Sequence, residues 1–372
     1  MHVGLNAHLL ASEQSFRRAG IHHYIYNLIA HLPSADPALH ATLFIGEGEI
    51  PPTPYTVRRS RLKTGSPLQR IVWEQLVQPF QLDGLDLVHE LAFVAPLLMP
   101  RPFVVTVYDL SFVRYPDRLP AARRLYLRTL TGLSCRRARR VSAISRSTAD
   151  DVRKWLRLPP EKIDLAIAGV QPHFRRLPRA EVEAFRAARS LPERFFFYLG
   201  TLEPRKNLPV LLRAYASLPE ADRQAVHLVL GGAVGWMAGD IPQLVDQLGI
   251  GRSVHLVGYL PDAELVYWYN CAEAFVYPSI FEGWGLPVLE AMACGLPPLV
   301  SNASSLPEAA GDVGALLPPS DQSAWREALA RAIHDPTWRA EQGERAQVRA
   351  QQFTWLQTAQ AVLETYRKAL EN

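Results

Sequence analysis

Two carboxylates in this sequence are spaced as if to grip the two ends of one ligand. Glu282 and Glu290 lie in FEGWGLPVLEAMACG, which runs from Phe281 to Gly295. The preceding AEAFVYP reads as a strand ending at Pro278 and SIFEGWG as a loop. The following PVLEAMAC reads as a helix, with Pro287 at its first position and Gly295 at its stop. Glu282 then belongs to the loop at the strand's carboxyl end. Glu290 sits about one turn inside the helix, so the two acids do not share a helix face. Gly283 and Gly285 permit close backbone approach, and the free N–H groups at a helix start favour an anion such as phosphate. A ligand with hydroxyls at both ends and phosphates between them would suit this layout, and a nucleotide sugar is such a ligand. A plain capped strand–helix connection is the competing reading.

A second loop adds cations. FFFYLG ends at Gly200 and is followed by TLEPRKNL, which sets Arg205 and Lys206 just before a helix beginning near Asn207. Adjacent cations at a helix start repel one another and oppose the helix dipole. A bound diphosphate would offset that cost, because guanidinium and ammonium groups both bind phosphate. Taken alone, an Arg-Lys pair is also ordinary surface charge. A third loop, long and polar, follows the first strand and turns into a helix at Gly20, another point where a phosphate or sugar could approach the backbone.

These loops need strands to hold them. Short apolar runs (HVGLNA, ATLFIG, DLVHEL, FVVTVYD, RVSAIS) alternate with amphipathic helical patterns in the first half, with the Pro-rich PPTPY read as a loop. FFFYLG, VHLVLGG, SVHLVG, AEAFVYP and PPLVSN repeat the style in the second half. Strand–helix alternation predicts parallel sheets covered on both faces, and two such series predict two Rossmann-like domains. The join is expected within AGVQPHFRRLPR, Ala168 to Arg179, and the tail from Asp321 is expected to be helical. Ligands of such sheets bind outside the carboxyl ends of the strands, so the expected site is the cleft between the domains.

Bulk composition narrows the class. The chain has 372 residues, 48% hydrophobic and 20% charged, with no apolar run of the roughly 18 residues that suggests a membrane span. MHVGLNA reads as a strand rather than a leader, and three scattered cysteines suit a reducing compartment, so a cytoplasmic location is expected. Net charge is +4, yet thirteen Lys and Arg fall between Arg114 and Arg157. That region could meet anionic lipid, a phosphorylated substrate or nucleic acid, or be solvated helix surface. His22 and His23 are adjacent on a helical pattern and diverge. With no Cys-x-x-Cys or His-Glu-x-x-His pattern, no metal site is expected.

Together these residues resemble the family 4 retaining glycosyltransferases, which have the α/β fold named GT-B: two Rossmann-like doubly wound domains facing across a cleft. The pattern is carried by Glu282 and Glu290 within EGWGLPVLEAMACGLP. LGTLEPRKNL, VHLVGYLPDAEL and SNASSLPEAAGD match neighbouring family segments in order. The resemblance implies that Lys206, with Arg205, neutralises the donor diphosphate, and that Glu282 holds donor-sugar hydroxyls. Gly283, Trp284, Gly285 and Leu286 would offer backbone amides, and Glu290 would hold the ribose. Gly258, Tyr259 and Leu260 would lie against the base, Gly200 would line the donor site, and Gly20 would approach the phosphates. Asp109 joins Arg205, Lys206 and Glu282 as a catalytic candidate. Two positions depart from the family: Tyr108 stands where a His is common, and Thr201 follows Gly200 where an Arg is common. Tyr108 and His89, at strand ends, are candidate acceptor contacts, with a hydrogen-bonded strand-end histidine as the competing reading of His89.

The resemblance further implies an N-terminal acceptor domain over 1–172, a donor domain over 173–353, and a final helix, 354–372, packed back on the first. The expected reaction is transfer of a hexose, mannose from GDP-mannose in the first instance, to a saccharide or lipid-linked saccharide of a surface polysaccharide. It would need no metal or other cofactor and no nucleic acid, and would proceed in the cytoplasm or peripherally at the inner face of an anionic membrane. UDP- or dTDP-sugar donors, a GT-B epimerase or phosphorylase, and a non-catalytic nucleotide-sugar binder are the alternatives.

Overall fold

The computed structural model describes residues 1–11, 20–115, 121–233 and 241–371. Two compact units divide the chain. One comprises Met1–Gly169 with Thr354–Asn372, and the other Val170–Phe353.

The first unit holds β1 (His2–Asn6), β2 (His40–Ile45), β3 (Thr56–Arg59), β4 (Leu87–Glu90), β5 (Phe103–Val107), β6 (Arg140–Ala143) and β7 (Ile163–Leu165). All pair in parallel, in the order β3-β2-β1-β4-β5-β6-β7. The central strands are buried along their whole length, as Phe103–Val107 shows, because helices cover both faces. The outermost strands β3 and β7 lack that apolar signature. TVRR is exposed at every residue and IDL is only three residues long, which is why neither stands out as a strand in the sequence. The helix Trp355–Glu371 packs on this unit: Thr358 Oγ1 donates to the Ile167 carbonyl at 2.5 Å, and Tyr366 is fully buried.

The second unit holds β8 (Phe195–Leu199), β9 (His227–Gly231), β10 (Val254–Gly258), β11 (Ala274–Tyr277), β12 (Pro298–Ser301) and β13 (Ala315–Leu317). Their order is β10-β9-β8-β11-β12-β13, again all parallel. From β8 the chain winds outward to β9 and β10. It then returns to β11, beside β8, and winds the other way. Connections leave β8 and β11 in opposite directions, and a crevice opens at their carboxyl ends. The fold is therefore two doubly wound α/β units.

Candidate active site

The loops that leave β8 and β11 carry the charged residues singled out above. After β8, Pro204–Lys206 forms a single 3-10 turn and Asn207 adopts a left-handed conformation (φ 55°) before the helix Leu208–Ala216 begins. The cations thus stand just before the helix, in a 3-10 turn of their own. Asn207 reverses the chain, and its Nδ2 donates to the Pro278 and Pro319 carbonyls at 3.1 and 2.6 Å. That tie fixes the first loop against the second. The Ile280 N–H and the Ser279 hydroxyl both donate to the Arg205 carbonyl, at 3.0 and 3.1 Å, and lock the loops together from the other side.

Glu282 is the hub. Its Oε1 accepts from Lys206 Nζ at 2.7 Å and from Ser279 Oγ at 2.5 Å, and its Oε2 accepts from Arg205 Nη1 at 2.7 Å. It is only 8% exposed. Burial alone would raise its pKa, but Arg205 and then Lys206 overcome that and hold the carboxyl at about 2, so it stays ionised. Lys206 is 6% exposed, and its Nζ also donates to Tyr277 Oη at 2.6 Å and lies 4.9 Å from that ring's centre. Burial, then Arg205, lowers its pKa, and the Glu282 carboxylate opposes the shift. Arg205 donates Nη1 to the Phe281 carbonyl at 2.9 Å and Nε to Glu203 Oε1 at 2.8 Å.

The loop after β12 supports Glu282 from below. Ser304 Oγ accepts the Glu282 N–H at 2.8 Å, and Ser305 Oγ donates to the Glu282 and Trp284 carbonyls at 3.0 and 2.9 Å. Gly285 (φ 107°) caps the helix Leu286–Ala293, and a Cβ there would meet Leu306 Cδ2 at 2.9 Å. Trp284 is buried against Phe353, so only its backbone can serve a ligand. Glu290, half-buried, accepts from Tyr269 Oη at 2.8 Å. Burial lifts its pKa to about 7 despite that bond.

The β10 turn contributes Gly258 (φ 71°) and Tyr259, whose side chain is exposed, while Leu260 points into the core against Gly231. Gly200 follows β8, and a Cβ on it would lie 3.6 Å from Lys206 Cε. Glu203, Tyr277, Ser279, Ser304 and Ser305 hold the site and were not singled out from sequence. The only hints were their places in LEPRKN, FVYPS and NASSLPE.

The candidates in the first unit fare differently. His89 does not face a ligand. It is fully buried, with Nδ1 2.7 Å from Tyr366 Oη and Nε2 2.7 Å from Thr106 Oγ1. The final helix covers the face on which the strand-end argument had left it open. Tyr108 is also buried. Its hydroxyl donates to the Leu91 carbonyl at 2.8 Å, and its ring meets Tyr24 and Phe93 edge-on. Neither side chain is available to an acceptor, which corrects both assignments. Asp109 is half-buried, and its Oδ1 accepts from the Ser111 N–H at 2.9 Å. Gly20 is exposed at the start of the helix Gly20–Ala35, and residues 12–19 ahead of it lie outside the described residues. Among the described residues no group of three His, Cys, Asp or Glu is arranged to hold a metal ion.

The two charged loops meet where the doubly wound sheet reverses its order. Residues 4–174 match Glycosyltransferase Family 4, and residues 181–349 match Glycosyl transferases group 1. The O-antigen chain mannosyltransferase B of Escherichia coli is 29% identical over 94% of this chain and 96% of its own. The serotype-specific mannosyltransferase WbdA of Escherichia coli is 32% identical over 68% of this chain, but the match spans 31% of that longer protein. Among solved structures, a sucrose-phosphate synthase from Thermosynechococcus elongatus superposes with a TM-score of 0.78 at 24% identity, covering 98% of both chains. WaaG, a glycosyltransferase involved in lipopolysaccharide biosynthesis, superposes at 0.73 and 18% identity over 98% of both. The chain belongs to the family 4 glycosyltransferases, with the GT-B fold, and is similar to O-antigen mannosyltransferases.

Proposed function

We propose that this glycosyltransferase moves mannose from GDP-mannose to a saccharide or lipid-linked saccharide during surface-polysaccharide synthesis, with retention of anomeric configuration. The observation that carries the reading is the buried Arg205–Glu282–Lys206 cluster at the β8/β11 crevice, in a chain similar to O-antigen mannosyltransferases. Breaking the anomeric bond builds negative charge on the leaving diphosphate. A buried ammonium, already desolvated and held by Tyr277 and Glu282, is preorganised to meet that charge. Glu282, ionised, accepts hydroxyl hydrogen bonds from the sugar. Tyr108, sealed in the core, is not the base for the acceptor's proton, which we assign to the leaving diphosphate itself. The test is a thermal-shift screen of GDP-, UDP-, dTDP- and ADP-sugars with product detection. A shift and mannosyl transfer with GDP-mannose are expected; transfer with a UDP- or dTDP-sugar instead would replace the donor, and no transfer with any would leave a binding protein.

A lipid-linked acceptor would bring the enzyme to a membrane, and the first unit has a face suited to that. Leu68, Val72 and Leu76 recur every fourth residue on the helix Pro67–Leu76. Leu68 is 71% exposed and Leu76 67%, and Phe80 beyond them is 81% exposed. Gln75 Oε1 accepts the Leu97 N–H at 2.9 Å, which sets the exposed Leu97 and Leu98 beside them. Arg137 of the helix Ala121–Arg137 donates to the Leu97 carbonyl. On that helix Arg123 and Arg128 are exposed and have no carboxylate partner among the described residues. Arg114 and Arg140 leave the basic face, paired with Asp151 and Asp164. Exposed leucines with Arg137 tied at Leu97, on a helix that also exposes Arg123 and Arg128, would suit an anionic bilayer surface; among the described residues no helix is long and apolar enough to span a membrane. Co-sedimentation with phosphatidylglycerol vesicles but not phosphatidylcholine vesicles is expected, reduced by L76S with F80S. Equal sedimentation with both, or with neither, refutes this part.

A further inference from the structure

The charges at the β8/β11 crevice cancel before any ligand arrives. Arg205 and Lys206 supply two positive charges, and Glu203 and Glu282 supply two negative ones. A diphosphate entering this site meets cations whose charge is already matched, and its hold on them strengthens if one carboxylate gives way.

The two carboxylates are held very differently. Glu282 takes bonds from Arg205, Lys206 and Ser279 on its two oxygens, and its backbone is pinned by Ser304 and Ser305. Glu203 is bound through Oε1 alone, at 2.8 Å from Arg205 Nε and 2.6 Å from Nη2. Among the described residues its Oε2 has no partner. Its side chain is 21% exposed against 9% for Glu282, so water compensates its release more fully. The guanidinium divides along the same line. Nη1 holds the Phe281 carbonyl and Glu282 and anchors the second loop, whereas the Nε–Nη2 edge faces Glu203. That edge is the two-pronged donor face that fits two oxygens of a phosphate.

We propose that Glu203 is an exchangeable counter-ion, which the diphosphate of the donor displaces from the Nε–Nη2 edge of Arg205 while Nη1 keeps its hold on Glu282. The proposal rests on the donor reading above. In the free protein Glu203 keeps the guanidinium extended and aimed, and its charge repels anions too weak to take its place. Glu203 therefore sets a threshold that favours a diphosphate over a monophosphate. The exchange breaks and forms only hydrogen bonds and moves no proton.

The opposite reading is that Glu203 merely orients Arg205, and the two readings predict opposite signs. Titration calorimetry of wild type, Glu203→Gln and Glu203→Ala with GDP, UDP and inorganic pyrophosphate separates them, with guanosine as an uncharged control. For whichever diphosphate the wild type binds, Glu203→Gln is expected to bind it roughly fivefold or more tightly, with guanosine unchanged and the gain shrinking as salt is raised. Glu203→Ala, which removes the charge and the side chain, is expected to shift the same way. Unchanged or weaker diphosphate binding by Glu203→Gln, in protein that melts like wild type, overturns the exchange and leaves the donor reading standing. Absence of binding of all three diphosphates by every protein overturns both.

Discussion

Ser304 Oγ accepts the backbone N–H of Glu282 at 2.8 Å, and Ser304 does so from a left-handed conformation, φ 51°. A non-glycine residue in that region costs of order 1 kcal/mol or more and persists where its surroundings demand it. Here the demand is the position of Glu282, twenty-two residues earlier in the chain. Ser304→Gly relieves the backbone but removes the oxygen. Ser304→Ala keeps the strain and also removes the oxygen. Both are expected to lower kcat by roughly tenfold, the loss of one hydrogen bond to a reacting-site residue. Ser304→Gly is expected to melt no lower than wild type. Wild-type turnover in both variants, in a mannosyl-transfer assay, would show that Ser304 does not position Glu282.

Lys206 and Glu282 form a buried pair, so removing one partner strands the other. Lys206→Met should cost about 3 kcal/mol of stability in a denaturant titration and at least a hundredfold in kcat. Lys206→Met with Glu282→Gln should recover much of the stability and none of the activity. A double variant as unstable as the sum of the singles would deny the pairing its structural role. Turnover near wild type in Lys206→Met would remove the ammonium from the reaction.

The doubly wound fold was legible because parallel strands covered on both faces read as unbroken apolar runs, such as FVVTV and FFFYL. Edge strands broke that rule: TVRR is solvent-facing, and IDL is three residues long with β6 as its strand neighbour. The loops bearing Arg205, Lys206 and Glu282 could be found because their chemistry is written in short, local segments. What holds them could not. Asn207 reaches Pro319, and Ser304 reaches Glu282, across distances in sequence that no periodicity reports. His89 shows the same limit in reverse. It sits at a strand end, where a ligand would be met, but Tyr366, 277 residues later, returns to cover it.

Tyr366 and His89 should therefore behave as a structural pair. Tyr366→Phe leaves His89 Nδ1 buried without its partner, at a cost of about 1–3 kcal/mol. Burial already drives the His89 pKa to about 3, so the ring is neutral and cannot relieve that cost by charging. The expected result is a lower thermal midpoint with unchanged KM for the acceptor. A raised acceptor KM at unchanged stability would restore His89 to the substrate.

Stability should fall as the solution becomes alkaline, because of two carboxyls in the first unit. Glu90 is fully buried at the end of β4; its Oε2 accepts from Asn6 Nδ2 at 2.6 Å and its Oε1 from Gln78 Nε2 at 2.5 Å. Burial raises its pKa to about 8, with Asn6 and Gln78 opposing and the neighbouring Glu74 adding to the rise. Glu74, buried and 3.6 Å from Arg70, is raised to about 7 by burial, against the pull of Arg70. Both groups hold protons in the fold that the unfolded chain has released above about pH 4.3. Their contribution is thus fully present below that pH and is lost as pH rises through 7 and 8. Glu282 acts in the opposite window: its stabilisation is present above about pH 4.3 and disappears as pH falls towards 2. Up to about pH 6.5 the buried His8 and His89, both lowered to about 3, push the other way. Above it Glu74 and Glu90, with Glu290 of the second unit, govern, and the thermal midpoint should decline between about pH 6.5 and 8. Glu90→Gln, of similar shape and uncharged at every pH, should flatten the decline. A wild-type midpoint that rises between about pH 6.5 and 8, or an equal decline in Glu90→Gln, would mean that Glu90 is ionised inside the fold.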